Sequence, residues 1–274
     1  MSLKEGVNMK TIKQENPLIH CMTNMVVTNF TANGLLAIGA SPVMAYSKEE
    51  TADMASAADG LLLNIGTPSE AVIESMIIAG RAANAQGTPV ILDPVGAGAT
   101  PFRNHIIRKI LDEVNVALIR GNAGEIAAIL GEVGTVKGVD AQIKTDPIQL
   151  AIKAAKQLNC VIVVTGATDV ISDGMRTVTV KNGHPWLTRV VGTGCLLGGV
   201  ICAYSAVKSE SLIDAATEAL VFYGVAAERA FTKTQTQGIA SFQIQFINEL
   251  SQLTEDEAAL FKQVEEIELE EKEK

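Results

Sequence analysis

Val190-Val191-Gly192-Thr193-Gly194-Cys195-Leu196-Leu197-Gly198-Gly199 sets two glycines and a thiol at the mouth of an apolar run of small residues. The run predicts a buried helix entered through a glycine-rich turn. Its glycines let the backbone bend and come close to a ligand, and the first N–H groups of the helix have no partner within it. Gly192, Thr193 and Gly194 are therefore the expected anion hole, a place for a phosphate. Cys195 falls in the first helical turn, where the positive end of the helix dipole is expected to lower the thiol pKa and make it a proton acceptor. An isolated Gly-x-Gly is more often only a tight turn before a core helix, so partners for the chemistry must be found elsewhere in the chain.

Three further segments supply them, each following an apolar run: Asp93-Pro94-Val95-Gly96-Ala97-Gly98, Arg120-Gly121-Asn122-Ala123-Gly124-Glu125 and Thr165-Gly166. Asp93 and Glu125 are candidates for holding Mg2+ by hard oxygen ligation, partly through water, as is usual where the metal also binds substrate phosphates. Arg120 and Thr165 are candidates for holding nucleotide phosphates. Taken singly, a carboxylate at a strand end is often a helix cap, and an arginine is commonly a surface or ion-pair residue. As a set converging beside Gly192 and Cys195, they point to phosphoryl transfer.

The elements that must position these groups alternate. Strands are expected at Leu18–His20, Val43–Ala45, Leu61–Leu63, Val90–Leu92, Val116–Ile119 and Val161–Val164. Helices are expected at Asn24–Ile38, at Ser47–Ala58 behind a Ser47/Glu50 capping box, and from Pro68 to Ala85. Others start at Thr100-Pro101, at Glu125 (to Leu130) and at Asp146-Pro147. Continuous apolar strands between helices predict a three-layer α/β/α fold on a mainly parallel sheet, with ligands at the carboxyl ends of the strands. From Val170 to Trp186 the pattern predicts a β-meander turning at Asp173-Gly174 and Asn182-Gly183, and the remainder is helical.

The chain has 274 residues, 47% of them hydrophobic, and a net charge of −9. A length of this order suits one large α/β domain, and no repeat or Pro/Ser-rich linker divides it. Residues 1–253 are read as that single domain. The acidic balance argues against nucleic acid or an anionic membrane as a partner. Six of the nine negative charges lie in residues 254–274, where nine acids face three lysines. Leu260, Val264 and Ile267 give this acidic C-terminal tail a thin helical stripe, so a surface helix is expected there. Cys21, Cys160, Cys195 and Cys202 have neither C-x-x-C spacing nor disulfide-scaffold density, and Lys4, Glu5, Lys10 and Lys13 interrupt any leader-like run. A cytoplasmic protein is expected. The uncharged runs Cys21–Ser47 and Val190–Val207 are read as interior segments, because the first carries Asn24, Asn29, Asn33 and Pro42 and the second is rich in small residues.

Several segments together resemble the hydroxyethylthiazole kinase family over residues 15–250. They are Pro17-Leu18-Ile19-His20-Cys21-Met22-Thr23-Asn24, Asn29-Phe30-Thr31-Ala32-Asn33-Gly34, Gly39-Ala40-Ser41-Pro42-Val43-Met44, and the Asp93, Arg120-to-Glu125 and Gly192-to-Cys195 segments. The resemblance implies a ribokinase-like fold and transfer of the ATP γ-phosphate, with Mg2+, to the hydroxyl of 4-methyl-5-(2-hydroxyethyl)thiazole in thiamine biosynthesis or salvage. It further implies that Met44 and Gly192 contact the thiazole with Asn24 nearby, that Arg120 and Thr165 bind ATP, and that Asp93 and Glu125 organise Mg2+. Ribokinase-like kinases usually carry Asp where this chain has Cys195, although Cys is the residue expected within the thiazole kinases. Cys195 would act as a base or chiefly orient the hydroxyl. No insertion is large enough for a separate lid domain, and the resemblance suggests a homotrimer in which the neighbouring subunit covers a site at the interface. Alternatives of the same fold are a hydroxymethylpyrimidine or pyridoxal kinase and an ATP-dependent dehydratase.

Overall fold

The apolar runs pair side by side as the alternation predicts. The computed structural model of the chain describes residues 11–132 and 146–268. In chain order its elements are α1 (Ile12–Glu15), β1 (Leu18–Met22), α2 (Thr28–Ile38), β2 (Ser41–Val43), α3 (Thr51–Ala57), β3 (Gly60–Asn64), α4 (Glu70–Gln86), β4 (Val90–Asp93), α5 (Pro101–Glu113), β5 (Leu118–Asn122), α6 (Ala123–Ile129), α7 (Pro147–Leu158) and β6 (Val161–Thr165). There follow β7 (Asp169–Ser172), β8 (Thr177–Val180), a 3-10 turn (Pro185–Arg189), α8 (Thr193–Val207), α9 (Leu212–Thr234), α10 (Ile239–Gln252), α11 (Glu255–Ala259) and β9 (Val264–Glu266).

The strands form one sheet in the order β2-β1-β3-β4-β5-β6-β7-β8-β9. Pairing is parallel from β2 through β6 and antiparallel from β6 through β9. Side chains alternate across it, so each strand feeds two cores. Leu62, Ile91 and Leu118 pack on one face with α2, α8, α9 and α10, while Leu61, Leu63, Leu92 and Ile119 pack on the other with α4, α5, α6 and α7. This is the three-layer arrangement with a mainly parallel sheet. Among the described residues every strand belongs to this sheet, so none forms a lid. The chain leaves β1 towards β2 on one side and returns to β3 on the other, which makes the β1/β3 boundary a topological switch point where α/β folds bind ligands.

Several local expectations are corrected. Helix α2 begins at Thr28 rather than Asn24, because Val27 N–H closes a turn on the Asn24 carbonyl and leaves the Asn24 side chain free to face the sheet end. Ser47 and Glu50 form no capping box: the Ser47 hydroxyl goes to Glu49, and the helix starts at Thr51. Pro68 is not helical; Ser69 caps α4 by accepting from Val72 N–H. The second meander turn is no hairpin, since after Gly183 the chain enters the 3-10 turn.

The acidic tail differs most. Of the residues from 254 onward, the helix stops at Ala259 and Val264–Glu266 is extended, adding β9 to the antiparallel edge. Ion pairs Arg176–Glu266 (3.1 Å) and Lys181–Glu265 (3.1 Å) hold it there, and Glu255 accepts from Ile12 N–H (2.9 Å) while pairing with Lys208 (3.0 Å). The sequence readings at Lys4, Glu5 and Lys10, and those beyond Glu268, lie outside the described residues.

Candidate active site

Gly192 takes φ 93°, a left-handed conformation suited to glycine, and caps α8 so that Cys195 is its third residue. The expected turn and first-turn thiol are therefore present. Tyr223 Oη donates to the Thr193 carbonyl (2.7 Å), fixing the helix start from beneath. A side chain at Gly194 would bring its Cβ to 3.2 Å from both Arg120 Nη atoms, so the missing side chain is what lets the guanidinium lie against the helix N-terminus.

The strand ends converge on this point. Asp93 closes β4 and is wholly buried; its Oδ2 accepts from Asn64 Nδ2 (2.7 Å), and its Oδ1 lies 3.7 Å from Arg120 Nη1 without any hydrogen bond. Arg120, on β5, donates through Nη2 to Thr165 Oγ1 (2.9 Å) at the end of β6, and its buried Nε has no partner. Asn122 and Glu125 form a reciprocal capping box at the start of α6, and Glu125 Oε1 also accepts from Gly96 N–H (2.8 Å). The Asn122-to-Glu125 spacing thus brings the Glu125 carboxylate to the loop after Asp93. Asn24 donates through Nδ2 to Cys195 Sγ (3.4 Å) and to Asn64 Oδ1 (3.0 Å). Met44 follows β2 and is half-buried against the core that includes α2 and α8.

Burial pushes the Asp93 carboxyl up to about 7, against the pull of the Arg120 charge. For Cys195, the lowered thiol pKa expected of a helix N-terminus is overturned. Burial raises it, the Asp93 carboxylate adds to the rise, and hydrogen bonds from Asn64 and Asn24 offset only part. In this environment the thiol stays protonated at neutrality.

The donor set fits Mg2+. Asp93 Oδ1 is an orphaned buried oxygen, and Glu125 retains lone pairs on oxygens already oriented by backbone N–H groups. Among the described residues no three His, Cys, Asp or Glu side chains make a closed metal cage. A hard cation here would be shared between the two carboxylates, water and substrate phosphates.

Sequence reasoning missed three contributors. Asn64, the polar end of an apolar strand, bridges Asn24 and Asp93, and that position was its one visible signal. Arg103 binds the carbonyls of Ile65 (2.8 Å), Val95 (2.6 Å) and Gly66 (2.9 Å), clamping the loops after β3 and β4. Asp169, which accepts from Gly166 N–H (2.9 Å), is raised to about 6 by burial and shares the field of Arg120. A Thr-Gly pair followed three residues later by Asp was the available sign of that turn.

No described helix is long and apolar enough to cross a membrane. A family model described as the hydroxyethylthiazole kinase family matches residues 9–256. A hydroxyethylthiazole kinase of Shouchella clausii is 64% identical, covering 94% of this chain and all of that protein. One from Halalkalibacterium halodurans is 57% identical over 92% of this chain and 96% of its own length. The solved structure of a hydroxyethylthiazole kinase protein from Pyrococcus horikoshii superimposes with a TM-score of 0.85 at 42% identity, covering 94% of this chain and 96% of that one. With its sheet, its strand-end carboxylates and its α8 turn in place, this chain belongs to the hydroxyethylthiazole kinase family.

Proposed function

We propose that this chain transfers the γ-phosphate of ATP to the hydroxyl of 4-methyl-5-(2-hydroxyethyl)thiazole, in thiamine biosynthesis or salvage. The observation that carries this reading is the placing of Cys195 at the third position of α8, with the backbone N–H groups of Gly192, Thr193 and Gly194 ahead of it and Asp93 and Arg120 alongside. The α8 N-terminus receives the transferring phosphoryl group, and Arg120 and Thr165 hold the nucleotide phosphates. Asp93 and Glu125, with water, would hold Mg2+, which would supply charge neutralisation at the phosphate oxygens. Gly192, Asn24 and Met44 hold the thiazole alcohol.

The hydroxyl oxygen bonds to the γ-phosphorus as the bond from that phosphorus to the β–γ bridging oxygen breaks, and ADP leaves with that oxygen. Phosphoryl transfer has a loose transition state in most analyses, so the nucleophile needs placement more than deprotonation. The Cys195 sulfur, protonated as its surroundings dictate, accepts the substrate O–H and orients the attacking oxygen. The proton of the substrate hydroxyl passes to an oxygen of the transferred phosphoryl group and leaves with the product, and the thiol keeps its own.

We also propose a homotrimer in which the neighbouring subunit closes the site. Met25, Val26 and Val191 are 80%, 66% and 70% exposed, and Gly192 packs against Val27 and Phe30, so these apolar side chains share one rim beside the anion hole. Such a rim is the mark of a protein contact. A cytoplasmic setting agrees with four free thiols.

The test is incubation with ATP, Mg2+ and a panel of alcohols (the thiazole, hydroxymethylpyrimidine, pyridoxal, ribose), with products weighed by mass spectrometry. Phosphorylated thiazole as the main product supports the reading. A phosphorylated pyrimidine or pyridoxal, or ATP-driven removal of water from a hydrate with no phosphorylated alcohol, replaces it.

A further inference from the structure

At the β1/β3 switch point the side chain of Asn64 is tied to the loop after β1, to the loop after its own strand and to the end of β4. Its Oδ1 accepts from Asn24 Nδ2 (3.0 Å) and from Gly66 N–H (3.0 Å), and its Nδ2 donates to Asp93 Oδ2 (2.7 Å). The same Asn24 Nδ2 also donates to Cys195 Sγ (3.4 Å). Two donors face the oxygen and a carboxylate faces the nitrogen, so the amide has one workable orientation and its capacity is nearly exhausted. Asn64 is itself buried, 1% exposed, on the final residue of an otherwise apolar strand. A buried amide in a fully connected network is costly to replace and fixes the relative positions of whatever it joins.

The things it joins have separate duties in the reaction. Asp93 faces the metal and phosphates, whereas Asn24 and Cys195 face the alcohol. By taking Oδ2, Asn64 orients the Asp93 carboxylate so that Oδ1 is the oxygen left without a hydrogen bond, on the side of Arg120. Through Asn24, whose Nδ2 bridges Asn64 Oδ1 and Cys195 Sγ, it sets the height of the Cys195 sulfur against that oxygen. We infer that Asn64 is the positioning residue that locks the phosphate-side carboxylate and the hydroxyl-orienting thiol into one geometry. A misplacement of about 1 Å between reacting groups can cost on the order of a hundredfold in rate, so the bracing acts on the chemical step and leaves ground-state binding of the alcohol largely intact. This inference rests on the roles proposed for Asp93 and Cys195.

Two variants separate its contacts. Asn64→Ala removes all of them. Asn64→Asp keeps both acceptor contacts, to Asn24 and Gly66, but puts an oxygen against Asp93 Oδ2 where a donor stood, so it carries the test if the alanine variant fails to fold. We expect either to lower kcat by about tenfold or more, with KM for the thiazole alcohol changed less than about threefold. In the Asp93→Asn background the same substitution should cost much less than in the wild type, because residues acting as a unit are not additive. Independently of turnover, calorimetry of nucleotide binding with Mg2+ and with EDTA should show the Mg2+-dependent gain in affinity reduced at least about threefold in Asn64→Ala, with metal-free affinity unchanged. Wild-type kcat in a folded variant, losses that multiply with Asp93→Asn, a loss confined to KM, or an undiminished Mg2+ gain would each overturn the positioning role. Asp93→Asn and Cys195→Ala are measured alongside. If both keep wild-type turnover, the proposed roles fail; if they are impaired and the Asn64 variants are not, only this inference fails.

Discussion

Arg120 Nη1 stands 3.7 Å from Asp93 Oδ1, close enough for attraction and without a hydrogen bond, inside a site where Asp93 has no exposure to solvent. The attraction does not repay the burial, since the carboxyl sits at about 7 rather than at 3.8. A folded-state pKa above the unfolded one means that the native protein holds the proton more tightly. The favourable contribution is complete below pH ~3.8 and is lost as pH rises through ~7. The free enzyme is accordingly expected to gain stability from Asp93→Asn at pH 8, by a few kcal/mol at most on the scale of ~1.4 kcal/mol per pKa unit. The gain should shrink steadily as the pH is lowered towards 5. Thermal melts of both proteins without nucleotide or metal, between pH 5 and 8, check this; a gap that is constant or reversed in sign would show that Asp93 is not a strained ionised group. The same variant should lower kcat far more than it weakens thiazole binding, because its carboxylate serves the phosphate side.

Cys195 carries the second expectation. Cys195→Ala should reduce turnover by about tenfold to a hundredfold without abolishing it, because the α8 backbone donors and the strand-end carboxylates remain. Cys195→Asp should retain more activity than the alanine variant, since its carboxylate accepts the substrate hydroxyl and meets the donor already aimed at Sγ from Asn24. Steady-state kinetics of the two variants decide the matter. An alanine variant with wild-type kcat would reduce Cys195 to packing.

Gly194 offers a test in which space is the only variable. A Cβ there would stand 3.2 Å from both Arg120 Nη atoms, and Gly194 lies inside α8, where alanine is conformationally favoured over glycine. Gly194→Ala is therefore expected to leave the melting temperature unchanged or slightly raised while displacing the guanidinium, so that KM for ATP rises severalfold and KM for the thiazole alcohol moves little. Equal effects on both substrates would mean that Arg120 is not a nucleotide ligand.

The groups legible in the sequence are those whose local surroundings announce them. Asp93, Arg120 and Thr165 lie at the ends of apolar strands with a glycine one to three residues on, and Cys195 follows Gly-x-Gly, so strand ends and a helix start could be read from neighbours alone. Asn64 could not be singled out this way, because an asparagine closing a strand has many uses and its partners Asn24 and Asp93 come from the loop after β1 and from β4. The protonation of Cys195 is hidden from the sequence for a related reason. A helix dipole can be inferred from a few residues, but burial and the Asp93 charge depend on the assembled fold. The strand Val264–Glu266 was hidden by composition: its residues are exposed, and it is held by backbone pairing to β8 and by ion pairs to Arg176 and Lys181, none of which leaves an apolar pattern.

The apolar rim formed by Met25, Val26 and Val191 leads to the last expectation. These side chains are largely exposed beside an anion hole that, among the described residues, no lid covers. In a closed three-fold ring the contact is heterologous, so two different patches of identical chains meet at every interface. On the proposed arrangement the Met44 side of the thiazole pocket comes from one chain and the Gly192-to-Cys195 side from the next. Val26→Asp should then weaken assembly, visible as a smaller species in sedimentation, and should cost activity in step with dissociation. Complementation gives the sharper measurement. Met44→Arg and Cys195→Ala proteins are prepared separately, shown to be trimeric and impaired, then dissociated and reassembled together. Some interfaces of the mixture join an intact Met44 to an intact Cys195, so activity should exceed the sum of the two parents. An active monomer, or no gain despite demonstrated subunit exchange, would mean that the pocket is completed within one chain and that the exposed rim has another use.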